Sequence, residues 1–167
     1  ADKLTGFIVV DKLDAAIDAT ELQFLYDDNF LYISVKAFYE KGAHRKLTKP
    51  DILKDNTFEL RIGQKSDAAN IRSFAISKGY SVHSSKIVSG AATPVSFSGK
   101  IDFKVSEFNG GYVLNASIPV SALNIGDKLP GKKAAILPLR HNICFRDGYS
   151  EYSAWGAIEN KIDAFNS

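Results

Sequence analysis

The sequence predicts an all-β protein, an antiparallel β-sandwich similar to a jelly roll, with at most one short helical turn. Apolar and polar residues alternate in short runs, as they do in strands that have one face in a core. Turn-forming residues separate these runs at short intervals. The 167 residues are 45% hydrophobic and 24% charged, which is typical of an ordinary globular protein. We therefore expect one domain that spans residues 1–167.

The first predicted hairpin spans residues 20–37. In both halves every second residue is apolar, and the triplet Asp27-Asp28-Asn29 between them is typical of a turn. The same three side chains carry oxygen atoms of the kind that calcium binds, so a structural calcium site is the alternative to a plain turn. Apart from that calcium, the sequence predicts no cofactor.

The next predicted strand covers residues 57–62. It directs Phe58, Leu60 and Ile62 to the core, and it directs Glu59 and Arg61 outward. The other predicted segments of this region are a polar loop at 40–55, strands at 71–77 and 80–84, and a Gly/Ser/Ala-rich loop at 89–99.

A second hairpin is predicted over residues 101–118. Its turn contains Asn109-Gly110, and Asn-Gly is the strongest short-range hairpin signal. Pro119 ends the second strand, because proline has no N–H for a strand ladder. Residues 120–123 are predicted to form the one helical turn.

Residues 140–146 suggest a binding face. If they form a strand, Arg140, Asn142 and Arg146 project from one side of it. Guanidinium and amide groups are planar hydrogen-bond donors that suit a polar ligand. We expect them on the solvent side of the sheet, facing Glu59 and Arg61. There they either bind a ligand or form cross-strand ion pairs on an ordinary wet surface.

Composition excludes several classes of function. Basic and acidic residues are mixed along the chain and give a formal charge of +2, so no nucleic-acid partner is expected. No apolar run reaches the roughly 18 residues of a membrane helix, so no membrane partner is expected. Hydrolysis of a sugar requires two carboxylates, and Glu59 has no outward carboxylate partner, so no enzyme is expected. A haem site would depend on histidines alone, and His141 is predicted to be buried and hydrogen-bonded instead.

Three segments carry a resemblance to a known family. They are residues 20–32 (TELQFLYDDNFLY), 55–60 (DNTFEL) and 110–119 (GGYVLNASIP). In sequence and order they resemble the family 9 carbohydrate-binding modules and their relatives in the DOMON-like group of β-sandwiches. The resemblance spans about residue 20 to the C-terminus, and none of its segments is a catalytic signature.

The resemblance implies a non-catalytic carbohydrate-binding module, accessory to a larger glycan-active protein that is secreted, extracellular or periplasmic. Its implied partners are carbohydrate and the other domains of that parent protein. Some members hold a sugar between two tryptophans, and the matching positions here are Leu53 and Lys161-Ile162, which are not aromatic. Glu59 matches a carboxylate that faces the ligand in such members, and Asn142 lies on the strand that supplies an amide.

A sugar site combines an aromatic ring, on which the C–H face of a pyranose stacks, with planar polar groups that bond its hydroxyls. Trp155 is the one tryptophan and follows Tyr149 and Tyr152 on a predicted loop, so it is either a stacking platform or a core residue. The alternative function is a structural or protein-interaction β-sandwich that has no sugar ligand. The predicted ligand-binding residues are Glu59, Arg61, Arg140, Asn142, Arg146 and Trp155.

Overall fold

A computed structural model of the chain describes residues 5–9, 16, 18–39, 56–63, 71–77, 82–88, 91–96, 99–125, 134–144 and 149–155. These residues form strands and one helical turn, in the order β1 (Phe7–Val9), β2 (Thr20–Tyr26), β3 (Phe30–Phe38), β4 (Thr57–Gly63), β5 (Ile71–Ser77), β6 (Val82–Val88), β7 (Ala91–Pro94), β8 (Asp102–Phe108), β9 (Gly111–Pro119), α1 (Val120–Leu123), β10 (Ala135–Cys144) and β11 (Tyr149–Trp155).

The strands form two antiparallel sheets. The larger sheet has seven strands in the order β1-β11-β10-β4-β5-β6-β7, and the smaller has four in the order β2-β3-β9-β8. Buried apolar residues of both sheets belong to one core. The predicted antiparallel β-sandwich is therefore confirmed, as is the short helical turn.

The core is built from the alternating residues that the sequence pattern indicates. Leu22, Val35 and Leu114 contribute from the four-stranded sheet, and Phe58 and Leu60 contribute from the seven-stranded sheet. All five are almost fully buried. Burying each of these side chains contributes about 1.5–3 kcal/mol of transfer free energy.

Both predicted hairpins are confirmed. In the first, the Asp27 carboxylate accepts hydrogen bonds from the amides of Asn29 at 2.7 Å and Phe30 at 2.8 Å, and it lies in an exposed turn between β2 and β3. The bond to the Asn29 amide is the main cause of a lowered pKa at Asp27. In the second, Gly110 has φ +92°, a conformation that glycine adopts without strain. The turn-forming interpretation of Asp27 therefore has a geometric basis.

Three segments differ from the sequence prediction. The region 89–99 was expected to be a loop, but it contains β7, whose four residues are all exposed. The residues after β10 were expected to place Tyr149 and Tyr152 on a loop, but they form β11. The inward positions of β11 include Glu151 and Ser153, which are polar and buried. The segment therefore lacks the alternation of apolar and polar residues by which a strand is predicted. The strand expected at 80–84 is observed at Val82–Val88.

No helix within the described parts of the chain is long and apolar enough to cross a membrane.

Gly111 is expected to tolerate no side chain. A Cβ placed there would collide with the carbonyl oxygen of Ala37 and with the ring of Phe108. We expect Gly111→Ala to lower the free energy of unfolding by about 1–3 kcal/mol, the usual cost of overpacking, as measured by urea denaturation. Ser106→Ala, an exposed change on β8, is the control and should stay within about 0.5 kcal/mol of wild type. Equal stability of the two variants would contradict the packing at Gly111.

Candidate functional site

The outward residues of β4, β5, β10 and β11 form a polar cluster on the seven-stranded sheet. Residues opposite one another in an antiparallel pair project from the same face. Arg61 pairs with Ser73 on one side, and His141 pairs with Tyr152. His141 also pairs with Thr57, which is two residues before Glu59 and therefore on its face. We call the five residues Glu59, Arg61, Ser73, His141 and Tyr152 the Glu59 face.

Glu59 is the centre of this cluster. Its Oε1 atom accepts a hydrogen bond from Arg61 Nε at 2.7 Å and one from Ser73 Oγ at 2.7 Å. Its Oε2 atom lies 3.3 Å from His141 Nε2. Because an ionised carboxylate only accepts hydrogen bonds, this contact requires the hydrogen of the imidazole to be on Nε2.

Tyr152 contacts both Arg61 and His141 of this cluster. Arg61 Nη2 donates to the Tyr152 hydroxyl at 3.3 Å. The Tyr152 ring lies against the His141 ring, with centroids 4.2 Å apart and planes tilted by 42°. One connected network therefore fixes the orientation of a carboxylate, a guanidinium, an imidazole and a phenol.

The network is partly open to solvent. The side chain of Glu59 is 11% exposed, whereas those of Arg61 and His141 are 26% and 28% exposed. A ligand on this face would thus meet the guanidinium and the imidazole first, with the carboxylate beneath them. A low-dielectric setting of this kind strengthens hydrogen bonds to ionised groups.

The protonation states of the cluster follow from the same contacts. Burial acts to raise the pKa of Glu59, but the hydrogen bond to His141, the charge of Arg61 and the bonds from Arg61 and Ser73 outweigh it and lower that pKa to about 2. Burial, followed by the negative charge of Glu59, raises the pKa of Tyr152 above its ordinary value of 10.0. At neutral pH Glu59 is ionised and Tyr152 protonated. A carboxyl group with so low a pKa is unsuited to act as a general acid at neutral pH.

Arg140 and Asn142 were expected on the same solvent-facing surface as Glu59 and Arg61, and that expectation is wrong. Arg140 pairs with Phe58, a core residue, whereas Glu59 pairs with Leu139. Arg140 is 1% exposed and Asn142 equally buried. Arg140 and Asn142 therefore share one face of β10, as predicted, but that face points into the sandwich and not to solvent.

Hydrogen bonds to the opposite sheet explain how an arginine occupies the interior. Arg140 Nη1 donates to the carbonyls of Asp18 at 3.1 Å and Ala19 at 3.0 Å and to Thr20 Oγ1 at 2.9 Å. Its Nη2 atom donates to the carbonyl of Phe38. These bonds satisfy both Nη atoms of the guanidinium, whereas its buried Nε atom has no hydrogen-bond partner among the described residues. The guanidinium thus joins β10 to the start of β2 and the end of β3.

Asn142 extends this interior network, because its Nδ2 atom donates to Asp18 Oδ2 at 2.6 Å. Its partner on β11 is Glu151, which is also buried. The donors of Arg140 and Asn142 named here are therefore directed at the protein itself.

Trp155 is separate from the Glu59 face. Trp155 pairs with Phe7, and so it projects from the opposite face of β11 to Tyr152 and is 37% exposed. The predicted site residue Arg146 lies outside the described residues, as do the two positions matched to the aromatic clamp, Leu53 and Lys161-Ile162.

Three members of the Glu59 face were not among the predicted ligand-binding residues. Ser73 is the outward residue opposite Arg61, which a pairing of β4 with β5 would have indicated. His141 was expected to be buried inward, and Tyr152 was placed on a loop. The signal that could have found them is the register between β4 and β10, which puts His141 and Glu59 on one face.

Comparison with known proteins adds a fold relationship. Neither a protein-family profile nor a curated protein matches the sequence. Among solved structures, the chain is similar to a protein from Bacteroides uniformis named as a candidate carbohydrate-binding protein, with a TM-score of 0.71, 14% identity, and coverage of 95% of this chain and 78% of that one.

Two further similar structures are of a family 9 carbohydrate-binding module from Caldicellulosiruptor kristjanssonii. The complex with glucose has a TM-score of 0.67 at 11% identity and covers 98% of this chain and 78% of that one. The complex with cellotriose has a TM-score of 0.64 at 11% identity and covers 96% and 75%. The chain therefore has the β-sandwich fold seen in family 9 carbohydrate-binding modules.

Proposed function

We propose that the protein is a non-catalytic carbohydrate-binding module and that a neutral sugar binds on the Glu59 face. The observation that carries the proposal is the partly exposed network of Glu59, Arg61 and His141 on one sheet face. It is supported by the similarity of the fold to modules solved with glucose and cellotriose. A sugar presents neighbouring hydroxyls, which planar charged groups bond in pairs.

The network leaves room for such bonds. Glu59 Oε1 accepts from Arg61 and Ser73, whereas Oε2 accepts only from His141 among the described residues. Each carboxylate oxygen has two lone pairs, so Oε2 retains an acceptor position for a sugar hydroxyl. The adjoining rings of His141 and Tyr152 offer an apolar surface for the C–H groups of a pyranose.

The wider role follows from the same proposal. We propose that residues 1–167 act as one domain, accessory to a larger glycan-active protein outside the cell or in the periplasm. We propose recognition rather than turnover as its mechanism, and in support Glu59 is held ionised and so cannot supply the general acid that glycoside hydrolysis requires.

A second candidate function has its own support. The Glu59–Arg61 salt bridge, at 2.7 Å, neutralises both groups within the sheet, as expected of a structural or protein-interaction domain that binds no sugar. The two candidates differ in the result of a glycan array followed by calorimetric titration. A sugar-binding module should bind at least one neutral oligosaccharide, and a structural domain should bind none.

Glu59→Gln tests the site itself. Glutamine keeps the shape but loses the charge, so a charge-assisted bond to a sugar hydroxyl becomes a neutral one. We expect a loss of about 1–1.5 kcal/mol, the difference between a charge-assisted and a neutral hydrogen bond, which is roughly a fivefold to tenfold rise in the Kd measured by calorimetry with the sugar identified on the array. Glu107→Gln, an exposed change on β8 of the other sheet, is the matched control and should leave the Kd unchanged. Equal affinity of wild type and Glu59→Gln would contradict the assignment of the sugar site to this face.

A further inference from the structure

The four-stranded sheet carries a groove on its outer side, away from the core and from the Glu59 face. Its volume is about 620 Å³. Pockets that hold small molecules have volumes of about 300–1,000 Å³. The groove is therefore large enough for one or two sugar rings, and the proposed function makes no use of it.

The register of the four strands explains why a groove forms there. One cross-strand row contains Leu25, Tyr32 and Ser117, and the next contains Gln23, Ser34 and Asn115. The small residues Ser34 and Ser117 lie on the two central strands, β3 and β9, whereas longer side chains lie beside them. The surface is consequently low at Ser34 and Ser117 and higher at Tyr32 and Asn115, which lie on the same two strands.

Tyr32 is held in a fixed position beside this depression. Its hydroxyl donates to Asp27 Oδ2 at 2.8 Å, and the other oxygen of Asp27 is fixed by the turn amides of Asn29 and Phe30. The Tyr32 ring lies 6.0 Å from the Phe30 ring and remains 39% exposed. A preorganised, partly exposed ring beside a depression is the geometry on which the apolar face of a sugar ring packs.

The charges of the groove favour an uncharged ligand. Its charged lining residues are Asp102 and Lys104, which have opposite signs. Asp102 also forms an exposed ion pair, at 2.7 Å, with Lys100, which does not line the groove. The other polar lining groups are amides and hydroxyls, which can both donate and accept hydrogen bonds. This balance suits the hydroxyl groups of a neutral saccharide better than a phosphate or a cationic ligand.

We propose that this groove is a second saccharide site, in which a neutral sugar ring packs on Tyr32 and Leu25 and its hydroxyls bond to Asn115, Ser34 and Ser117. The domain would then hold glycan chains on two opposite faces. The groove and the Glu59 face belong to different sheets, so sugar binding at each can be tested independently of the other.

The test is an NMR titration of the ¹⁵N-labelled full chain with cellotriose, xylotriose, mannotriose and maltotriose at millimolar concentrations. At least one of these sugars should shift the amide signals of Ser34, Asn115 and Ser117. These shifts should be unchanged in Glu59→Gln, which weakens only the proposed site on the other sheet. Shifts at Ser73 and His141 report the Glu59 face independently, so the failure of either proposal is visible by itself.

Substitutions then locate the sugar within the groove. Tyr32→Ala should raise the Kd of the groove about tenfold, and Asn115→Ala, an exposed change that leaves the core intact, should also raise it. Tyr26→Ala removes an exposed tyrosine that does not line the groove and should change the Kd less than about twofold.

Three results would overturn the proposal. They are the absence of groove shifts with all four sugars, equal effects of Tyr26→Ala and Tyr32→Ala, and a self-association of the chain, seen by sedimentation, that Tyr32→Ala abolishes. The last result would assign the groove to a second copy of the protein.

Discussion

Replacing Arg140 with alanine is expected to lower the free energy of unfolding by about 3–5 kcal/mol. The substitution removes a buried guanidinium that bonds to the carbonyls of Asp18, Ala19 and Phe38 and to the Thr20 hydroxyl. The buried Thr20 hydroxyl and the partly buried carbonyls of Asp18 and Phe38 would lose this donor, and burying an unsatisfied polar group is costly. The volume of the lost side chain adds a cavity. Urea denaturation followed by circular dichroism measures the effect.

Two further variants separate charge from shape at this position. Arg140→Lys keeps the charge and some of the donors and should cost less than Arg140→Ala. Arg140→Met keeps much of the apolar stem but no donor and should fall between them. If alanine abolishes folding, the lysine and methionine variants still give the order. A stability equal to wild type in Arg140→Met would contradict the structural role of the guanidinium.

The lysine variant also tests where the sugar binds. Because Arg140 is in the interior, folded Arg140→Lys should retain the sugar affinity of the wild type. A loss of sugar affinity without a loss of stability would indicate that Arg140 contacts the sugar.

The stability of the protein is expected to fall in acid because of Glu59. Its pKa is lowered from 4.5 to about 2 in the folded protein, so the unfolded chain takes up a proton first as the pH falls. The stabilisation is therefore complete above about pH 5 and is lost progressively as the pH falls from there through about 2. The shift corresponds to about 3 kcal/mol. Among the described residues, Arg61, Ser73 and His141 contact this carboxylate, and the phenol of Tyr152 lies within range of its charge.

Glu59→Gln provides the reference for this effect, since it has no carboxyl group to titrate there. We expect the difference in unfolding free energy between wild type and Glu59→Gln to shrink by about 3 kcal/mol between about pH 6 and about pH 2. Urea denaturation at each pH gives this difference. Parallel pH profiles of the two proteins would mean that the folded state does not lower the pKa of Glu59.

The sequence was a good guide to the fold wherever one face of a strand is apolar and the other polar. The alternation in residues 20–37 and 101–118 predicted both hairpins, because those strands have one face in the core. It failed for β7, which has no buried face, and for β11, whose buried face includes Glu151 and Ser153. Alternation of apolar and polar residues reveals a strand only where apolar side chains are buried on one face. It cannot reveal a strand that is fully exposed or that buries polar groups.

The candidate site was harder to predict for a related reason. The pattern of β10 correctly separated Arg140 and Asn142 from Leu137 and Leu139, but it did not show which side faces the core. The usual rule directs the leucines inward, whereas in this protein they lie beside Glu59 and Arg61 on the outer face. The inward position of Arg140 depends on carbonyls more than 100 residues away in the chain, at Asp18, Ala19 and Phe38. Because these hydrogen-bond acceptors are distant in the sequence, the residues around Arg140 give no indication that its side chain is buried.

A crystal structure of the protein with the oligosaccharide identified on the array would show whether a sugar binds to the Glu59 face. We predict a sugar hydroxyl within about 3 Å of Glu59 Oε2, with Arg140 and Asn142 still bonded inside the sandwich. A sugar that contacts Arg140 or Asn142, or one that is bound only in the groove of the four-stranded sheet, would contradict binding at the Glu59 face.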